Sequence, residues 1–168
     1  MNKVIKIKTK NDLVIDIKKI IEPIIGNLND FIKPTDRVLL KPNFNTADPF
    51  PASTSLDFLG AVIKIVKENN PQEIIIGESC TYFLNTEKIC RQKMVPDIIK
   101  EQNITWHNFE KGEWVKTKVP GGKHFKSVSI PKLIQEVDKI ILLPPGTSTF
   151  TQSFFSKLCQ VTSSFSII

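Results

Sequence analysis

Two runs of apolar residues, Val38-Leu39-Leu40 and Ile74-Ile75-Ile76, carry no polar alternation. A strand with no polar side is covered on both faces, which is the habit of parallel sheets flanked by helices. Between the runs, Leu59, Val62, Ile63 and Val66 recur at helical spacing and predict a buried stripe. This helix begins after Ser53-Thr54-Ser55, where Thr54 or Ser55 can cap orphan amides and Asp57 opposes the positive end. Asn69-Asn70-Pro71 stops it. Residues 36–79 therefore read as one strand-helix-strand crossover.

The flanking pattern extends this unit in both directions. Residues 4–9 alternate with period two, placing Ile5 and Ile7 opposite Lys6 and Lys8, and predict a half-exposed edge strand. From Asp16, residues Ile17, Ile20, Ile21, Ile24 and Leu28 keep helical spacing, with Pro23 set to kink or restart the helix. A helix over 86–102 is interrupted at Pro96, and shorter strands follow over 104–109, 113–119 and 124–130. Their connectors, Lys111-Gly112 and Pro120-Gly121-Gly122-Lys123, are turn sequences. A short helix over 131–137 precedes a last buried strand, Lys139-Ile140-Ile141-Leu142-Leu143. The pattern predicts an α/β fold: a mainly parallel, Rossmann-like layered sheet with helices on both faces and a small antiparallel region over 106–130.

Length and composition narrow this further. A chain of 168 residues with 40% hydrophobic content supports one core, assigned to residues 1–146. Residues 147–168 break the pattern: they are rich in Ser, Thr and Phe, with Lys157 as their one charge, and read as a disordered or frameshifted tail. No window approaches the roughly 18 apolar residues of a membrane span, and the N-terminus does not resemble a signal peptide, which predicts a cytoplasmic protein. Cys80, Cys90 and Cys159 are isolated, so reduced thiols are expected. The net charge of +6 favours anionic partners, small phosphorylated molecules or nucleic acid, without choosing between them. It says nothing of oligomeric state.

Candidate chemistry gathers where the strands end, because the carboxyl edge of a parallel sheet opens onto a crevice that core side chains do not fill. The first run ends in Lys41-Pro42-Asn43-Phe44-Asn45 and the second in Gly77-Glu78-Ser79-Cys80. Lys41 and Asn43 would bring a cation and an amide to a phosphate or carboxylate; equally, Lys41 can snorkel to water while Asn43 braces its loop. Ser53 and Thr54 offer hydroxyls and helix amides to the same anion, although helix capping alone accounts for them. Glu78, with Ser79 beside it, can coordinate a divalent metal, act as a base or bind a ribose hydroxyl, and a lone carboxylate does not choose. Cys80 shares that loop and is reactive only if a neighbour lowers its pKa.

Other residues have plainer readings. His107 and His124 lie on expected strands without a second ligand at metal spacing. Gly121-Gly122-Lys123 lacks phosphate-loop spacing and precedes a strand, so it reads as a hairpin turn. Trp106 and Trp114 fall on apolar strand positions and read as core.

The order of these motifs resembles domain of unknown function family 362, from Asp36 to Pro144. In that family the first strand ends in Lys-Pro-Asn, matched by Lys41, Pro42 and Asn43, and the second in Gly-Asp or Gly-Glu and Ser, matched by Gly77, Glu78 and Ser79. The segments Ile130-Pro131-Lys132-Leu133 and Val137-Asp138-Lys139-Ile140-Ile141 follow in the same order. The resemblance implies a strand-edge pocket of unknown chemistry lined by Lys41, Asn43, Ser53, Thr54, Glu78 and Ser79. Relatives continue with a Lys-x-Lys-Thr-His type segment, whereas Pro145-Gly146-Thr147-Ser148-Thr149 supplies neither Lys nor His, so a truncation or frameshift near Gly146 is expected. Some relatives carry iron-sulfur cysteine clusters; three scattered cysteines do not form that motif, and any other cofactor is left open. The reading is an uncharacterised family domain binding a small anionic ligand, with or without a divalent metal. Its alternatives are a basic module binding nucleic acid and a structural subunit whose open sheet edge pairs with a partner.

Overall fold

The computed structural model describes residues 12–145. The strand expected over 4–9, the tail over 147–168 and Cys159 lie outside the described residues.

The described residues form a four-stranded, wholly parallel sheet from β1 (Arg37–Pro42), β2 (Glu73–Glu78), β3 (Thr105–Asn108) and β6 (Lys139–Leu143), ordered β3-β2-β1-β6. Two further strands, β4 (Trp114–Lys118) and β5 (Ser127–Pro131), pair as an antiparallel hairpin. The antiparallel region is thus smaller than expected. Trp106 lies in β3, which joins the parallel sheet in register with β2: Ile76 opposite Trp106 and Gly77 opposite His107.

Helices cover both faces unequally. The first face carries α1 (Leu13–Ile25), α3 (Leu56–Lys67), α4 (Thr86–Gln92) and α5 (Val95–Gln102), whose apolar residues pack on Val38, Leu40, Ile74, Ile76 and Ile141. The short α2 (Leu28–Phe31) adds Leu28 and Phe31. The opposite face, Leu39, Ile75 and Ile140, is covered by Phe109, by the single turn α6 (Leu133–Glu136) and by Val137. Strand parity thus divides one apolar run between two cores, which is why these strands show no polar alternation.

Local chemistry sets the element boundaries. α1 begins earlier than its apolar stripe, because Asp12 Oδ1 accepts from the Val14 and Ile15 amides at 2.7 and 3.3 Å. Pro23 sits within α1, Gly26 ends it at φ 77°, and Asn27 caps α2. The expected break near Pro96 separates α4 from α5: Met94 adopts a left-handed φ of 54° and Pro96 occupies the first turn of α5, where its missing donor costs nothing. No helix among the described residues is long and apolar enough to cross a membrane.

Candidate functional site

The chain travels from β1 to β2 to β3 in one direction, then returns to place β6 on the far side of β1. The connections leaving β1 and entering β6 run over opposite faces, so the carboxyl ends of these two neighbours form a topological switch point. One hydroxyl spans it. Thr54 Oγ accepts from the Asn43 amide at 2.8 Å and donates to the Leu143 carbonyl, while the Thr54 amide donates to the Asn43 carbonyl at 3.1 Å. Thr54 thereby fixes the ends of β1 and β6 at one distance.

β1 and β2 are adjacent, and their two polar motifs meet. Glu78 is 0% exposed, and its carboxylate has three donors. Oε1 accepts from Lys41 Nζ at 2.6 Å and from the Ser79 amide at 2.8 Å; Oε2 accepts from the Phe44 amide at 2.9 Å. Lys41 also donates to the Pro42 carbonyl at 3.2 Å, and its side chain is 13% exposed. By strand parity Lys41 follows Leu39 and Glu78 follows Ile76 onto opposite faces, so the ion pair closes around the end of the sheet. A buried charge needs such pairing and hydrogen bonding to be tolerated.

The remaining sequence candidates divide by accessibility. Ser53 is buried, and its hydroxyl donates to the Asp48 carbonyl at 2.7 Å and the Thr46 carbonyl at 3.3 Å, folding the 43–55 loop on itself. Helix capping falls to Ser55, whose Oγ accepts from the Phe58 amide at 3.2 Å. Lys41, Asn43 and Ser79 are half-buried at the strand ends, with Asn43 Oδ1 accepting from the Asn45 amide at 3.3 Å. Thus Ser53, Thr54 and Glu78 are buried and hold the loops, while Lys41, Asn43 and Ser79 keep partial exposure. A metal at Glu78 would have to displace Lys41 or a backbone amide. Among the described residues no group of three or more His, Cys, Asp or Glu is placed to hold one.

Lys93, at the end of α4, carried no signal in the sequence, where it reads as one more polar helix position. It is buried, donates to the Asp48 carbonyl at 2.6 Å, and stands 5.5 Å from the Phe44 ring centroid. Burial holds its pKa below the usual lysine value against the attraction of Asp48. A second cation therefore underlies the KPNFN loop. The 79–85 loop is tied to the same segment through the Thr81 amide, 3.1 Å from the Asn45 carbonyl.

Neither thiol among the described residues is activated. Burial pushes the Cys80 thiol up in spite of the Thr86 hydrogen bond, and Glu110 adds to the rise. Burial pushes Cys90 up to about 12, with the Glu78 carboxylate contributing. Both stay protonated near neutrality. His107 packs against Gly112 and lies 5.6 Å from the Phe109 ring, and His124 is exposed ahead of β5. Trp106 is half-buried against the main core. Trp114, read as core, is half-exposed and held through its indole N–H, 2.9 Å from the Phe109 carbonyl.

The opposite end of the sheet is closed by structural contacts. Arg37 Nε donates to Glu73 at 2.9 Å, and the Arg37 amide donates to Asp138 at 2.9 Å. Burial alone would raise the Glu73 carboxyl, but hydrogen bonds from Thr105 and Arg37 hold it below the usual carboxylate value.

The family described as Domain of unknown function (DUF362) matches residues 38–146, well over half of the 168-residue chain. No curated protein and no solved structure matches.

Proposed function

Because the chain belongs to the family of domains of unknown function 362, we propose that its switch-point crevice binds a small anionic ligand, with Lys41, Asn43 and Ser79 at the accessible edge. The observation carrying this reading is the meeting of both polar motifs beside the β1–β6 boundary, closed by the Lys41–Glu78 pair. Open α/β sheets take ligands at that boundary. The net charge of +6 raises the encounter rate with anions. Glu78, Thr54 and Ser53 serve the site by fixing its loops. With both Glu78 oxygens engaged, the reading gives that residue no metal. Binding is assigned to the cytoplasm, where thiols such as Cys80 and Cys90 persist reduced.

Asn43→Asp provides the test, since it keeps the Oδ1 acceptor for the Asn45 amide and adds a negative charge to the crevice. Calorimetric titration of the full chain at low salt should show inorganic phosphate or pyrophosphate binding, weakened about tenfold or more by Asn43→Asp at unchanged melting temperature. Absence of saturable binding of either anion, or equal affinity in the variant, overturns the reading.

A further inference from the structure

The β4–β5 hairpin holds most of the chain's excess positive charge. Residues 111–132 contain six lysines and one acidic residue, Glu113, a net +5 against +6 for the whole chain. The lysines at the two ends are neutralised: Lys111 lies 3.3 Å from Glu87, and Lys132 lies 2.7 Å from Glu113. The four between them, Lys116, Lys118, Lys123 and Lys126, are exposed and meet no carboxylate at ion-pair distance among the described residues.

Strand register puts these charges in order. Side chains alternate along β4, so Trp114, Lys116 and Lys118 share one exposed face, while Val115 and Thr117 turn inward and Thr117 accepts from Gln135 of α6 at 2.9 Å. Ser129 and Ser127 of β5 stand directly opposite Lys116 and Lys118 and continue that face without a charge of their own. The two lysines are about 7 Å apart along the strand, close to the phosphate repeat of an extended nucleic-acid strand. Trp114 heads the row. Its indole N–H donates to the Phe109 carbonyl at 2.9 Å, which fixes one edge of the ring, and 49% of the residue is exposed. In the connecting turn Phe125, 70% exposed, lies between Lys123 and Lys126 in the chain.

Lysines on an unpaired edge discourage a strand from pairing with other chains, which accounts for Lys116 or Lys118 alone. It does not account for a tryptophan held in line with them, nor for a face whose paired positions include no acid, since solvated surfaces ordinarily mix both signs. We propose that this face binds single-stranded nucleic acid, with Lys116 and Lys118 on consecutive phosphates and a base stacked on Trp114. A line of cations tracking the backbone beside rings that take bases is how proteins hold single strands without reading their sequence. A duplex keeps its bases stacked on one another and leaves Trp114 unmatched; an acidic polypeptide uses the lysines but not the ring. The face shares no residue with Lys41, Asn43 or Ser79, so it stands whether or not the strand-end crevice binds an anion.

The experiment follows the anisotropy of a labelled oligothymidylate over a range of salt, on the full chain and on Lys116→Gln/Lys118→Gln. Both lysines are exposed, so the variant should keep its melting temperature. The expected result is saturable binding whose logarithm falls linearly with the logarithm of salt, with a slope shallower by about 1.4 in the variant, since each phosphate contact on a single strand is worth about 0.7. A base-free phosphodiester strand of equal length should bind about tenfold or more weakly, because it offers nothing to stack. The oligothymidylate should also move the Trp114 indole N–H signal in NMR spectra, where Trp106 supplies the one other such signal. Absence of salt-dependent binding, equal slopes in the two proteins, equal affinity for the base-free strand or an unmoved Trp114 signal each overturns the proposal. Equal or tighter binding of polyglutamate overturns it in favour of an acidic protein partner, and equal or tighter binding of phosphatidylserine vesicles in favour of a membrane surface.

Discussion

Glu78 shows how one residue can be central to a site without being available to a ligand. Lys41→Met removes its cation and leaves a carboxylate in an unexposed position with only two backbone amides. The expected loss is about 3–5 kcal/mol, measured by urea denaturation, because breaking a buried pair strands the surviving charge. Lys41→Met/Glu78→Gln should recover part of it, since the amide can still accept from Phe44 or Ser79; a double variant less stable than Lys41→Met would contradict the clamp. Gly77 matters for a different reason. A Cβ there would lie 2.5 Å from Phe109 Cζ and 2.8 Å from Leu39 Cδ1, so Gly77→Ala should cost about 1–3 kcal/mol by overpacking the second core. Cys90 gives a pH signature. Its pKa rises from an ordinary value of 9.0 to about 12 on folding, so its contribution is complete below pH 9 and is lost as pH climbs toward 12. Stability should fall by about 2 kcal/mol between pH 8 and 10.5 on its account, at about 1.4 kcal/mol per unit. Cys90→Ala, less stable at neutral pH, should show a shallower alkaline decline; an unchanged slope would show that other groups cause it. The sequence made Lys41 and Glu78 legible as neighbours, because both follow buried runs. It could not reveal their partnership, which depends on how side chains 37 positions apart turn around the sheet end.

At the scale of elements, boundaries follow caps and breakers more than apolar stripes. Ser55 closes the start of α3 beside the site, and Ser55→Ala should cost about 1 kcal/mol without affecting the Glu78 cluster. A thermal melt with unchanged phosphate affinity is the expected pair of results. A larger loss of binding would show that the cap also positions the 43–55 loop. The crossover from β1 to β2 was readable because unbroken apolar strands and a capped helix leave few alternatives. β3 was less readable: it has four residues, mostly exposed or half-buried, and its short length matches the hairpin strands that follow. Only its place beside β2, reached through α4 and α5, makes it parallel. Lys93 was unreadable for a related reason, since its burial comes from the 43–55 loop folding over the end of α4.

The whole molecule joins a double-sided sheet to a lightly attached hairpin, and this division sets where it opens first. β1 lies between β2 and β6, with Val38, Leu39 and Leu40 buried in both cores, so its amides are released only by disrupting the sheet. β4 has no fully buried residue. Besides the buried Ile130 and Pro131 of β5 and the Trp114 indole on the Phe109 carbonyl, the hairpin is held to α6 and its approach by the Lys132–Glu113 ion pair at 2.7 Å, the Lys132 amide on the Glu113 carbonyl at 2.8 Å and the Gln135–Thr117 hydrogen bond at 2.9 Å. Such exposed contacts contribute little each, because water competes for both partners. Native-state hydrogen exchange should therefore show β4 amides opening through a local route about a hundredfold or more faster than those of Leu39 and Leu40. Added denaturant should accelerate β1 strongly and β4 weakly, since only the first transition exposes the cores. A ligand bound at Lys41, Asn43 and Ser79 would slow exchange at the ends of β1 and β2 while leaving β4 unchanged, because those strands, and not the hairpin, carry the proposed contacts. Equal protection of β4 and β1 without ligand would show that the hairpin belongs to the same cooperative unit. The second face would then be sealed by more than Phe109, α6 and Val137.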